Sequence, residues 1–490
     1  MLETPTRNHP TVVLSRIFAV AIIMAMVSIG YIAEAQYELI LSSVAIVAVS
    51  AVVLTIFWAR TMIYATDSEL VSEFNFIMHK MKAVPYSKIA SVNVVRTFFN
   101  RIFGTATVQV NINSSINAAR PEIAICLKND MANQLRNELS ARIYGLNYSS
   151  ENEQVYESSI NLTNRDAILH GLFGTSSWLF ISSMFFAALS VVFILFESAG
   201  DMKGLISTSL LFAASFIIPM VALIIRYYNF RVYRLGDTIY LQHGAIQLYK
   251  TSFKVNKINS VRIKRTFFAR LMNKACLEVD VVGINATQDT TPVLCILTSM
   301  DNIDRLMREV VPDFIYENEG MRQPGRAAIP WLMRAMWATI LTALVYAYPV
   351  WFVFKGDLSS IGLVDWVINP LRMVTIGSFL FLVLIYFGAA HLGFNNNRLD
   401  IGDDMFMFET GIIDKVRTVM QYDRAQIVDV VAWPSARRLG LARCKVSMLS
   451  SSGHSVSTSG YYPVEELETI GDEVLERIKD GRYDYKKSTF

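Results

Sequence analysis

Charge is thin in this chain of 490 residues: Asp, Glu, Lys and Arg make up 18% of it. A soluble globular protein carries about a quarter. Cysteine is scarcer still. Cys126, Cys276, Cys295 and Cys444 are far apart and form no C-x-x-C pair. That spacing argues against a disulfide framework and for reduced thiols buried in domains. The six histidines, His9, His79, His170, His243, His391 and His454, are scattered, with no H-x-x-x-H and no cluster at metal-ligand spacing. Neither a metal site nor a cofactor is therefore expected. Phosphate-loop, G-x-G-x-x-G and G-x-S-x-G signatures are missing too, which argues against an enzyme. SSSGHS (450–455) places Ser beside His but reads as a polar hairpin turn.

What the chain has in quantity is apolar surface: 53% hydrophobic residues and a mean hydropathy of +0.35. A membrane span needs about 20 apolar residues. Six stretches qualify, at 17–33, 39–58, 178–196, 204–225, 335–354 and 373–390, and none holds Asp, Glu, Lys or Arg. The first is long and lacks a small-residue cleavage site, so it reads as a retained span. The connectors at 34–38, 197–203 and 355–372 tie the spans into three hairpins. The reading is hairpins at 15–59, 177–226 and 332–392, and polar domains at 60–147, 229–316 and 395–481. Arg16, Arg60, Arg165, Arg226, Arg231, Arg326, Arg334 and Arg398 gather on the side of the long segments. The positive-inside rule then puts both termini and all three domains in the cytoplasm. Spans without ionisable residues also disfavour a proton or cation relay.

The domains are copies of one another. RTFFNR (96–101) and RTFFAR (265–270) lie 169 positions apart, and Lys88-Ile89-x-Ser91-Val92 matches Lys257-Ile258-x-Ser260-Val261 at the same offset. In the third copy Ile427 and Val430 hold the Ile/Val positions, and Arg437 to Gly440 match Arg101 to Gly104. Gly104 and Asn273 suit a left-handed turn. VNVV, TATVQV, LEVDVV and CKVSML predict antiparallel strands. Each copy closes with an amphipathic helix whose apolar face carries Met131, Leu135, Leu139 and Ile143, then Ile303, Leu306 and Val310, then Leu467, Ile470, Val474 and Ile478. Pro463 and the acids after it are helix-entry signals.

The order hairpin, strand, (I/V)PxxKIxxV, R-x-x-G turn, strand and closing helix resembles the bacterial pleckstrin-homology (PH)-like family, and the threefold arrangement resembles YdbT-type membrane proteins. The third copy departs most, with Trp433-Pro434 where the others have Arg-Thr. The resemblance implies an α+β membrane protein of the bacterial cytoplasmic membrane. It would have six transmembrane helices in three hairpins, each followed by a cytosolic PH-like β-barrel or sandwich with a C-terminal helix. It further implies recognition rather than catalysis, a role in envelope function or stress and antimicrobial resistance, and a complex with a smaller PH-like membrane protein.

One positive signal remains. Residues 74–121, 238–277 and 430–464 contain basic residues and no acids. Beside an anionic leaflet each basic residue contributes about 1 kcal/mol. Lys88, Arg96, Arg101, Lys257, Lys264, Arg265, Arg270, Lys274, Arg437 and Arg438 are thus the candidate contacts to anionic phospholipid head groups or a protein partner. Basic charge suits nucleic acid equally, but no nucleic-acid motif accompanies it, and none is expected as a partner. Phe98, Phe99, Phe267 and Phe268 read as core packing. The second reading is a six-span lipid transporter or flippase component.

Overall fold

The computed structural model describes residues 4–33, 37–76, 78–112, 121–144, 160, 162–181, 183–184, 217–281, 292–356, 365–450 and 453–481. The first hairpin is α1 (Thr11–Ala33) and α2 (Tyr37–Arg60). Repeat 1 follows as a meander of β1 (Thr61–Ala65), β2 (Glu69–Asn75) and β3 (His79–Pro85). A one-turn 3₁₀ corner leads to β4 (Ile89–Arg96), a short helix α3 (Phe98–Ile102), β5 (Thr105–Ile112), β6 (Ile123–Lys128) and the closing helix α4 (Asn129–Tyr144).

Repeat 2 is entered by α5 (Asn164–Phe173) and α6 (Ile218–Tyr227). It consists of β7 (Arg231–Leu235), β8 (Thr238–His243), β9 (Leu248–Lys254), β10 (Ile258–Arg265), α7 (Phe267–Leu271), β11 (Lys274–Val281), β12 (Val293–Ser299) and α8 (Met300–Val310). A two-residue strand β13 (Met321–Arg322) precedes the last hairpin, α9 (Ala328–Lys355) and α10 (Asp365–Asn396). Repeat 3 is β14 (Arg398–Ile401), β15 (Met405–Thr410), β16 (Lys415–Gln421), β17 (Ala425–Val431), α11 (Pro434–Arg437), β18 (Leu441–Ser450), β19 (Gly453–Thr458), β20 (Tyr462–Pro463) and α12 (Val464–Lys479).

The local chemistry explains these elements. Thr97 and Thr266 cap α3 and α7, their hydroxyls accepting from the backbone N–H of Asn100 and Ala269 at 3.3 Å. The turn after each short helix needs a positive φ, and it is supplied by Gly104 (62°), Asn273 (50°) and Gly440 (67°). Ala132, Leu135 and Leu139 of α4 pack on Val92, Val108 and Val110 of the sheet below. Ile303, Leu306 and Val310 do the same in repeat 2, and Leu467, Ile470 and Val474 in repeat 3. Met131 and Ile478, placed on those faces by periodicity, are exposed.

The sheets do not stop at the repeat boundaries. β4 pairs antiparallel with β9, so that β6-β5-β4 and β9-β8-β7 form one six-stranded sheet. β10 pairs with β16, fusing β12-β11-β10 to β16-β15-β14-β13. Among the described residues the end sheets, β1-β2-β3 and β17-β18-β19, have no such neighbour. The second meander of each repeat thus continues into the first meander of the next. Sequence patterning suggests a self-contained barrel or sandwich for each copy; the two meanders of a repeat do share one core with its closing helix, but their sheets continue into the neighbouring repeats. A strand edge left open by one repeat is satisfied by its neighbour.

Among the described residues three helices are long and apolar enough to cross a membrane: Ile40–Arg60, Gly325–Lys355 and Arg372–Asn396. The apolar stretches Thr11–Ala25 and Ile218–Tyr227 are shorter. The expectation is six spans; most of the second hairpin lies outside the described residues. In the third hairpin the two helices are tied by a hydrogen bond between the Thr342 and Tyr386 hydroxyls (2.9 Å) and another from Tyr346 to Ser378 (3.3 Å). Such bonds hold helices together where apolar surfaces meet lipid and protein equally well.

Candidate functional site: an arginine-lined cavity at the foot of the third hairpin

The third hairpin is fastened to repeat 3 by one buried amide. Gln323 donates to the carbonyls of Gly393 (3.0 Å) and Phe394 (2.7 Å) at the end of α10, while its oxygen accepts from the Trp331 indole (3.1 Å) and the Tyr461 backbone (2.8 Å). Gly393 lets the helices close: a Cβ there would sit 2.6 Å from the Trp331 ring.

Beside this joint opens a cavity of about 630 Å³. Ala335, Ala338 and Ala389 give it an apolar wall from the hairpin, and Thr410, Thr418 and Ser457 a hydroxyl wall from repeat 3. Three arginines enter it from three parts of the fold: Arg262 from β10, Arg334 from α9 and Arg443 from β18. None of the described lining residues is an acid.

Arg262 is already committed. It pairs with the fully buried Asp280 at 2.9 Å and meets the Ser455 hydroxyl. Arg334 lies over the Trp331 ring at 5.4 Å and Arg443 over Tyr461 at 5.5 Å, and those two rings meet edge to face. Arg443 also donates Nε to the Ser459 carbonyl at 3.0 Å. Burial lowers the pKa of Arg443; Tyr461 opposes this, and the like charge of Arg334 adds to the lowering. An arginine stays protonated regardless. The site therefore holds two neighbouring positive charges that an anion would relieve. Volume, apolar wall and convergent donors are those of a small-ligand site, and arginine is suited to bidentate contact with a phosphate.

The ten basic residues picked out from the sequence do not assemble there. Arg101 donates to the carbonyls of Ala245 and Ile246, the latter at 3.1 Å, and Arg270 to that of Ile413 at 2.7 Å; both bonds cross a repeat boundary. Lys264 pairs with Glu278 and Lys274 with Asp166, each at 3.5 Å, and Arg265 donates to Asn273 at 3.2 Å. Arg96 and Lys257 are half-buried and have partners. Burial, followed by the charges of Arg424 and Lys254, lowers the pKa of Lys257. Lys88, Arg437 and Arg438 are exposed.

Two further readings are corrected. Phe98 and Phe267 are exposed, while Phe99 and Phe268 pack outward on the hairpin residues Phe18 and Phe180 at ring distances of 5.0 and 4.9 Å. They join domain to hairpin rather than filling a core. Trp433 occupies the N-cap position of α11, as Thr97 and Thr266 do for α3 and α7. Trp433-Pro434 therefore stands opposite Thr-Phe rather than Arg-Thr.

Arg262 and Arg443 sit in the acid-poor stretches and Arg334 flanks a span, but nothing in the sequence shows that they meet. Gln323 carries no sequence signal at all.

Three copies of one α+β unit, together with apolar helices long enough to cross a membrane, define a membrane protein built from PH-like repeats. The family model described as the bacterial PH domain matches residues 15–143, 185–310 and 357–478, and the chain belongs to that family. Each match ends in or beside a closing helix. The chain is similar to the UPF0699 transmembrane protein YdbT of Bacillus subtilis (strain 168), with 23% identity over 208 residues. That alignment takes in 41% of this chain and 39% of the relative, so the chain spans well under half of the relative's length. No solved structure matches it.

Proposed function

We propose that this is a non-enzymatic membrane recognition protein with six spans, both termini and all three repeats on the cytoplasmic side. Its third repeat and hairpin hold the head group of an anionic phospholipid. The observation that supports this is the pair Arg334 and Arg443, set without an opposing acid in a cavity walled by a spanning helix. A lipid phosphate reaches that depth while its chains stay along the apolar helices. Basic residues near an anionic leaflet each add about 1 kcal/mol. The pair thus supplies affinity, and the cavity shape supplies selection.

Native mass spectrometry of the full chain, extracted gently from its own membrane, tests this. The wild type is expected to retain an anionic phospholipid, and the Arg334→Ala/Arg443→Ala variant to lose it. Equal retention by both chains would refute the assignment.

A further inference from the structure

The shared sheets follow one rule, and the rule leaves two ends unused. At each internal junction the fourth strand of one repeat takes the third strand of the next. Arg96 stands opposite Leu248 and Arg265 opposite Lys415, at equivalent positions. At each, an arginine on the following short helix, Arg101 or Arg270, donates to carbonyls in the turn before the incoming strand.

β17 is the third copy of the accepting strand. Ala425 faces Met448 as Ile258 faces Val281 and Ile89 faces Ile112, each with an irregularity directly after. Among the described residues only β18 pairs with it. Val431 is 37% exposed, whereas Val95 at the same place in β4 is 6% exposed. Arg437 takes the place of Arg101 and Arg270; it is exposed, and its guanidinium has no hydrogen bond or ion pair among the described residues.

At the other end, β3 is the first copy of the incoming strand and, among the described residues, pairs only with β2. His79, Lys80 and Met81 are exposed along it. The turn before it borders a hollow of about 330 Å³ lined in part by Glu73, Asn75 and Phe76.

We propose that β17 of one chain pairs with β3 of a second copy, joining chains head to tail in the membrane. A second copy fits because both halves of the junction are present on this chain and complement each other. Carrying the internal register across places Asp429 opposite Lys82, an opposite-charge cross-strand pair, and brings Arg437 to the turn before β3. Unlike faces make the contact, so it is heterologous and propagates into a ring or a row. The membrane-spanning helices keep the copies in one plane.

The test uses two full chains with different tags, co-expressed in membranes, one carrying Asp429→Cys and the other Lys82→Cys. Opposite cross-strand positions have Cβ atoms about 4.5–5.5 Å apart, which a small strand movement brings to the roughly 4.5 Å limit of a disulfide under mild oxidation. The four native cysteines are buried. The expected result is a cross-linked species bearing both tags, several-fold above the control pair Asp429→Cys with Arg142→Cys, and reduced several-fold by adding Arg437→Glu. Cross-linking at the control level, or unmoved by Arg437→Glu, would overturn the proposal. So would capture of a different polypeptide by Asp429→Cys in place of the second copy.

Discussion

Arg270 reaches across a repeat boundary to donate to the carbonyl of Ile413 at 2.7 Å, and Arg101 does the same one repeat earlier to Ile246 at 3.1 Å. This accounts for the two near-identical hexapeptides. Threonine caps the short helix, the second phenylalanine docks on the hairpin, and the last arginine holds the next repeat. The one position that differs faces inward. Asn100 donates to the Thr107 hydroxyl at 3.0 Å and accepts from Thr105 at 3.1 Å. In repeat 2 the corresponding strand has Lys274 and Cys276, and a buried Ala269 replaces the asparagine.

Arg270→Ala is expected to loosen the junction between repeats 2 and 3 without unfolding either. A hydrogen bond from a charged group contributes about 1.5–3 kcal/mol. Hydrogen exchange of the β16 amides should rise in the variant, with the core amides of β11 unchanged. Equal exchange in β16 would show that the bond contributes nothing.

Asp280 is fully buried, pairs with Arg262 and accepts from the Ser260 (2.6 Å) and Ser455 (3.0 Å) hydroxyls. Removing one member of a buried pair strands the other charge, at a cost of about 3–5 kcal/mol. Asp280→Ala should therefore lower the thermal midpoint sharply, and Arg262→Met/Asp280→Leu should recover much of the loss. A double variant as unstable as the single one would contradict the ion-pair explanation.

Two histidines make stability fall in acid. Burial, with a smaller contribution from Lys264, lowers the pKa of His170 to about 3, and its Nδ1 accepts from the Leu297 amide at 3.3 Å. Burial lowers His243 to about 4, although its bond to the Arg226 carbonyl opposes the shift. The unfolded chain takes up protons below pH of about 6.5, while the folded chain does so only near the depressed values. Stability is thus fully present above about 6.5 and is lost progressively as pH falls toward 3–4, by about 1.4 kcal/mol per pH unit for each histidine. Unfolding midpoints in detergent between pH 7.5 and 5 should show this slope, shallower in His243→Asn. A flat profile would contradict it.

Gly393→Ala places a methyl group against the Trp331 ring. Overpacking of this kind costs about 1–3 kcal/mol. It should part the third hairpin from repeat 3, seen as a rise in Trp331 fluorescence quenching by acrylamide in a background where the other tryptophans are Phe. Unchanged quenching in Gly393→Ala would show that the helices yield freely.

The repeat, the closing helices, the two outer hairpins and the left-handed turns were readable because each rests on local signals: period, apolar length, or a residue tolerating positive φ. The strand exchange was not readable. β4 needs the same alternation whether its neighbour is its own β3 or β9 of the next repeat, so no residue in VNVV distinguishes them. The acid-free stretches suggest a basic surface, but Arg101 and Arg270 find carbonyl acceptors, which no sequence displays. The cavity escaped because Arg262, Arg334 and Arg443 come from two repeats and a hairpin.

A high-resolution map of the protein in phosphatidylglycerol nanodiscs tests the central claim most directly. A phosphate bridging the guanidinium groups of Arg334 and Arg443, its glycerol against Ala335 and Ala338, is the predicted result. A cavity filled only by water or by rearranged side chains, with lipid phosphate elsewhere on the protein, would contradict it.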